Sequence, residues 1–170
     1  MTPYVVVTGD FVRTGGMDIA NHALASYLAR EGKEVHLVAY RVDPVLAAMP
    51  AVAFHRALKP GNAYALGAPC LRALGHLHGR RAARRGGHVI ANGGNFPSRD
   101  VNWVHYVHAA YAPTAVGALR RTKQWITARL SIKTEREALR RARIVIVNSH
   151  RTRRDVIDLV GAPPERVNTV

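Results

Sequence analysis

The sequence predicts an α/β protein built on a Rossmann-like, doubly wound and mostly parallel sheet with helices on both faces. Two observations carry this expectation. Short β-branched runs without polar alternation, Tyr4–Thr8 and Ile144–Val147, have the pattern of parallel strands buried on both faces. Between such runs lie stretches whose apolar residues repeat at helical spacing, and a strand–helix–strand order within one sheet demands a parallel crossover.

The elements follow in order. Tyr4-Val-Val-Val-Thr8 is the first strand and Gly9 to Gly16 a loop. From Met17 onward Ile19, Ala20, Ala23, Leu24, Tyr27 and Leu28 line one helical face, and Gly32 supplies the stop. Glu34–Tyr40 is a second strand, which makes residues 4–40 one βαβ unit. Val52–His55 reads as a third strand. Residues 61–85 are rich in Ala and Leu and predict a helix, although Gly67, Pro69 and Gly75 interrupt its first half. His88–Ala91 is a fourth strand, running into the polar loop Asn92-Gly-Gly-Asn95. Trp103–His108 predicts a fifth strand, Thr114–Ala142 a long helix rich in Arg and Ala, and Ile144–Val147 a sixth strand. The polar pair Asn148-Ser149, a short helix over Arg151–Val160, a Pro-Pro turn and the start of another strand end the chain. No internal repeat, low-complexity linker or domain boundary is visible.

A chain of 170 residues with 48% hydrophobic and 21% charged content fits one globular domain. No apolar run approaches the roughly 20 residues that span a bilayer, and Met1 is followed almost at once by a core strand rather than a signal peptide. The single cysteine, Cys70, excludes an intramolecular disulfide and a cysteine-rich zinc site. A cytoplasmic protein, peripheral on the inner face of the membrane, is the expectation. The 25 Lys and Arg against 11 Asp and Glu give a net charge of +14. Such a field attracts anionic lipid surfaces, phosphorylated substrates or nucleic acid. Aromatics make up only 6% and are not interleaved with basic segments as a stacking platform requires, so an anionic membrane or substrate is preferred to nucleic acid. The cluster Arg80, Arg81, Arg84 and Arg85 shares one helix face; a solvated face and a phosphate- or lipid-facing patch are both open.

In open parallel sheets ligands bind where loops leave the carboxyl ends of the strands. Four such loops carry candidate residues. Thr8–Asp18 contains the adjacent glycines Gly15 and Gly16 before a helix, a place where backbone approaches a ligand and free N–H groups meet an anion. Its spacing fits neither a dinucleotide fingerprint nor a P-loop, and Asp18 also suits a helix start. Asn92 and Asn95 flank a second loop, either a surface turn or a ligand contact. Trp103–Tyr111 holds His105 and His108. If 103–108 is extended the two point to opposite faces and do not share a metal; His105 fits the core, and His108 stands at the carboxyl end of the strand. Asn148-Ser149 begins the fourth loop, with Ser149 a helix cap or a ligand contact. His76-Leu-His78 has metal-compatible spacing without a neighbouring carboxylate or cysteine in sequence, and reads as two solvent-exposed helical histidines. No G-x-S-x-G or H-E-x-x-H motif is present.

Several of these segments resemble the amino-terminal domain of family 4 glycosyltransferases, which have the two-domain GT-B fold. The resemblance lies in the Gly-Gly loop, the phrase Asn21-His-Ala-Leu-Ala-Ser-Tyr-Leu-Ala-Arg-Glu-Gly32 and its continuation Lys33–Ala39, the Tyr106-Val-His108 triplet, and Ala142–Val170. It is weak between about 44 and 87. It implies that residues 1–170 form a single amino-terminal domain, with a nucleotide-sugar-binding second domain absent from this chain. It also implies a retaining transferase that moves a sugar from a nucleotide diphosphate sugar, a UDP- or GDP-sugar, to an acceptor hydroxyl. Gly15 and Gly16 would then approach the donor diphosphate or sugar, and His108 the transferred sugar as the catalytic candidate. Asp18, Asn92, Asn95, His105 and Ser149 are the acceptor-side candidates. The donor-binding glutamates and Arg-Lys pair of the family belong to the second domain, so the chain alone is expected to be inactive, with no metal and no bound cofactor.

Other readings stay open at this stage. The chain could be a stand-alone ligand-binding module, or a subunit completed by a separate donor-binding chain. A nucleotide-sugar epimerase would need its glycine fingerprint and Y-x-x-x-K pair, and a response-regulator-like domain an acidic pocket; neither is present. A basic nucleic-acid binder is the last alternative.

Overall fold

The structure, a computed structural model, describes residues 2–111 and 118–170, the side chains at 118–121 and 123 excepted. Nine strands appear among the described residues: β1 Pro3–Val7, β2 Asp10–Phe11, β3 Glu34–Ala39, β4 Arg41–Val42, β5 Val52–Arg56, β6 His88–Asn92, β7 Val101–Val104, β8 Ile144–Val147 and β9 Val167–Thr169. The helices are α1 Gly16–Arg30, α2 Pro44–Ala47, α3 Tyr64–Ala83, α4 Ala118–Arg141 and α5 His150–Asp155, the last continuing into a π-type turn over Val156–Val160. Seven strands form one parallel sheet in the order β5-β3-β1-β6-β7-β8-β9. A small parallel pair, β2 with β4, extends the loops above β1 and β3. The fold class is the doubly wound α/β architecture that the sequence predicts.

Strand order reverses between β1 and β6, the switch point where such sheets open a crevice. On one face Val6, Val35, Leu37 and Ala39 pack against Ala25, Leu28 and Ala29 of α1 and Leu46 of α2. On the other, Val5, Val7, Val38 and Ala91 pack beneath Leu71 and Ala82 of α3. That second face continues across the register pairs Ala91–Asn102 and Asn102–Val145. There Val104, Val145 and Val147 meet Leu139 of α4 and Val156 and Val160 beyond α5.

The interruptions in α3 have a packing cause. A Cβ on Gly67 would stand 2.6 Å from the Tyr40 ring, and one on Gly75 2.8 Å from Phe96, so hydrogen at both positions lets the helix lie on aromatic rings. Short elements not visible as periodic patterns, β2, β4 and α2, are held by specific bonds. Asp43 caps α2 by accepting from the Val45 and Leu46 amides, with Pro44 at the first helical position.

The fifth strand departs from its predicted span of 103–108. It begins at Val101 and stops at Val104 because its neighbours stop: β6 ends at Asn92, opposite Trp103, and β8 at Val147, opposite Val104. Beyond Val104 no ladder partner remains among the described residues, and His108–Ala110 folds into a 3-10 turn. The predicted helix from 114 is described from Ala118; residues 114–117 lie outside the described residues. His78, expected with His76 on an exposed helix face, is not there. His76 is exposed, but His78 is buried against the sheet beside His36 and His55. Burial and the two neighbouring imidazoles push His55 down to about 4, and burial also lowers His78.

Candidate active site at the carboxyl edge of the sheet

The carboxyl ends of β1, β6, β7 and β8 are adjacent, so the four loops singled out in the sequence line one edge. Neighbouring strands lie about 4.8 Å apart, which sets the loops after β1 and β7 roughly 10 Å from each other. At the switch point a buried chain of hydrogen bonds ties three elements. Asn92 donates its amide to the Asn21 carbonyl oxygen at 3.2 Å, and Asn21 donates to the Thr8 hydroxyl at 3.0 Å. Asn92 is therefore a buried strut rather than an exposed contact. The loop after it is fixed from both sides: Asn102 donates to the Gly93 carbonyl and Arg72 to that of Gly94.

Gly15 caps α1 with φ +81° and ψ 140°, a backbone state that L side chains rarely adopt. A Cβ on Gly16 would meet nothing within 4 Å, so this loop is open to a ligand. Beneath it lies a charged cluster that sequence reading passes over. Arg41 donates from Nε and Nη2 to the two oxygens of Asp10 at 3.1 and 2.8 Å, and the Tyr64 hydroxyl donates to Asp10 at 3.0 Å. Lys59 stands over the Tyr64 ring at 4.0 Å. Burial pushes the Asp10 carboxyl up, but the bonds from Arg41 and Tyr64 and the two cations outweigh it and hold it below 3.8. Asp18, in the first turn of α1, is raised by burial and by Asp10.

His108 is positioned by α4. Glu135, 1% exposed, accepts the backbone N–H of His108 on Oε2 and the ring Nδ1–H on Oε1, both at 2.9 Å. A carboxylate that accepts from Nδ1 holds the proton there, so in the neutral ring Nε2 carries the lone pair. Nε2 lies on the exposed side, 3.3 Å from the Tyr106 hydroxyl. The arrangement is a preorganised imidazole: ring orientation and tautomer are set from behind, and one nitrogen faces outward.

The remaining candidates divide. Asn95 is half-buried in the loop after β6, and no hydrogen bond holds its side chain among the described residues. His105 is half-buried beside the Trp103 ring at 4.7 Å, its pKa lowered by burial and its Nε2 without a hydrogen-bond partner among the described residues. Ser149 caps α5, accepting from the Thr152 amide at 3.1 Å, and Thr152 donates on to Asn148. Glu135 escapes sequence reading because Lys133, Arg136 and Glu137 surround it. Its signal is positional: Glu135, Ala138, Leu139 and Ala142 recur at i, i+3, i+4 and i+7 and are all buried, which sets one charge on an apolar stripe.

Among the described residues no helix is long and apolar enough to cross a membrane. The family model described as Glycosyltransferase Family 4 matches residues 14–170, and the chain belongs to that family. Two solved structures share its fold. One is WaaG, a glycosyltransferase involved in lipopolysaccharide biosynthesis, with TM-score 0.73 and 15% identity over 98% of this chain and 44% of its own. The other is sucrose-phosphate synthase from Thermosynechococcus elongatus, with TM-score 0.68 and 16% identity over 100% of this chain and 48% of its own. The chain thus spans about half the length of these structures and matches half of a GT-B architecture. A search of curated protein sequences gives no match.

Proposed function

We propose that this chain is the acceptor-binding half of a retaining glycosyltransferase. In the whole enzyme a sugar passes from a UDP- or GDP-sugar to the hydroxyl of a cell-envelope glycan, glycolipid or small molecule. The observation that carries this reading is His108, whose ring is held by the buried Glu135 at the carboxyl edge of a parallel sheet. Its outward nitrogen suits a hydrogen bond to the transferred sugar in place of the long 3.3 Å contact with the Tyr106 hydroxyl, formed without reorganising the ring. Gly15 and Gly16 border the donor side, where the first turn of α1 favours a diphosphate oxygen. Asp18 and Asn95 serve the acceptor, since Asn92 and Ser149 spend their side chains on internal bonds. A second domain supplies most donor contacts, so the chain alone binds nucleotide sugar weakly and does not turn over.

An anionic membrane surface is the proposed partner beside the acceptor. Trp125, Ile126 and Leu130 of α4 are about half exposed, and Arg129 stacks on Trp125 at 3.8 Å. Apolar and cationic groups side by side fit a headgroup region.

The test is titration of the ¹⁵N-labelled chain with hexose-containing glycans and glycolipid headgroups. Amide shifts should gather at Gly15–Asp18, Gly93–Asn95 and His108. Asp18→Asn and Asn95→Ala should each weaken binding roughly five- to tenfold, the scale of a lost hydrogen bond. Shifts centred elsewhere, or indifferent to both substitutions, sink the acceptor site. Efficient sugar transfer by the 170-residue chain alone sinks the view that it is half of the machinery.

A further inference from the structure

A second cluster lies on the α3 face, away from the carboxyl edge. His36 comes from β3, His55 from the edge strand β5 and His78 from α3. One ring nitrogen from each lies within 4.8 Å of the other two. The three histidines line a cleft of about 410 Å³ with Pro3, Ala82, Arg81, Arg84 and Arg85.

The hydrogen bonds decide which lone pairs are available. Nη1 and Nη2 of Arg85 donate to Oε1 and Oε2 of Glu34, each at 2.6 Å. The Glu34 carboxylate can only accept, and it lies 3.0 Å from Nε2 of His36. Nε2 therefore carries the proton, and Nδ1 of the neutral ring offers a lone pair into the cluster. That Nδ1 stands 2.9 Å from Nε2 of His55, and the His78 ring stacks on His55 with centroids 3.5 Å apart. A carboxylate behind a histidine whose other nitrogen faces two more imidazoles is the outer-shell arrangement of zinc sites.

We propose that His36, His55 and His78 bind a divalent transition-metal ion of the zinc type, with Glu34 orienting His36 from behind. Tetrahedral zinc with bonds of about 2.0–2.1 Å sets its nitrogens about 3.3 Å apart. The His36–His55 pair is already closer than that, and the His78 nitrogen, within 4.8 Å of both, has to move in by side-chain rotation when the ion binds. Imidazole ligands select zinc over magnesium or calcium. The fourth position opens to the cleft, where Arg81 and Arg84, which have no ion-pair partner among the described residues, can meet a water or an oxyanion on the ion; Arg85 is paired with Glu34. The ion would join the edge strand β5 to β3 and to α3, and so staple the sheet at its exposed margin. This is independent of the sugar-transfer reading, because none of these residues lies on the reacting edge.

The untagged chain, stripped with a chelator and dialysed against Zn²⁺, should retain one zinc by elemental analysis and melt at a higher temperature than the stripped form. Co²⁺ in its place should give the intense visible bands of a four-coordinate site. His55→Gln and His78→Gln should abolish retention and the rise in Tm, whereas His76→Gln, at the exposed neighbour, should leave both intact. Glu34→Gln should keep the site but weaken it about 10- to 100-fold. Failure of the wild-type chain to retain zinc overturns the proposal whatever the variants do. So does equal retention by His55→Gln and His78→Gln, or stabilisation by inorganic phosphate and not by Zn²⁺, which would mark an anion site.

Discussion

Asp10 shows how one residue can organise a loop without announcing itself in sequence. Its buried carboxylate takes two bonds from Arg41 and one from Tyr64, across 31 and 54 positions of chain that no local pattern connects. Gly15 and Gly16 stand out as candidates because a glycine pair before a helix has local meaning. His108 stands out as a candidate from its phrase alone, whereas its partner Glu135 is 27 residues away and hidden among other charges. Folding holds the Asp10 carboxyl below 3.8. A depressed carboxylate adds stability above its unfolded pKa and loses it as pH falls through the folded value. Asp10→Asn should thus cost about 1.5–3 kcal/mol at pH 7, the range for hydrogen bonds to a charge. Relief of Asp18, which Asp10 raises, offsets a small part. Denaturant midpoints should show the gap between variant and parent shrinking as pH drops below 3.8. A gap of the same size in acid would mean that the ionised form of Asp10 is not what the fold uses.

Among the elements, those whose signal is periodic were legible and those defined by neighbours were not. The βαβ unit over 4–40 announces itself through Val5, Val6 and Val7 and the helical spacing of Leu24 and Leu28. The limits of β7 do not, because they are set by where β6 and β8 end. The glycines of α3 separate the two influences within one helix. Alanine in place of glycine gains up to about 1 kcal/mol of helix propensity, so the sign depends on the space that a Cβ finds. At Gly79 it would meet Val89 at 3.4 Å, an ordinary contact, whereas at Gly75 it would press on the Phe96 ring at 2.8 Å. Overpacking of that kind costs about 1–3 kcal/mol. Gly79→Ala should raise Tm and Gly75→Ala should lower it. If both rise, the helix does not rest on Phe96 as described.

For the whole molecule, the net charge of +14 identifies no ligand, since a field of that sign attracts any polyanion. Placement narrows the choice. Trp125, Ile126 and Leu130 are about half exposed on α4, off the buried stripe of Glu135, Ala138, Leu139 and Ala142. Arg129 and Lys133 stand among them, exposed. A nucleic-acid groove would set cations along a backbone track, whereas aliphatic side chains beside cations match a lipid headgroup boundary. Each cation near an anionic surface contributes about 1 kcal/mol. Burying Trp125 or Leu130 adds up to about 1.5–3 kcal/mol. Sedimentation should therefore show binding to phosphatidylcholine vesicles that contain phosphatidylglycerol, weakening as salt rises, and little binding to phosphatidylcholine alone. The paired substitution Trp125→Ser and Leu130→Ser should reduce affinity at least about tenfold with a much smaller effect on folding, a modest fall in Tm from the lost Arg129 stacking and helix propensity. Equal binding to both vesicle types would remove the electrostatic half of the argument. Full retention of affinity by the paired variant would remove the apolar half and leave the charge as a general property of the surface.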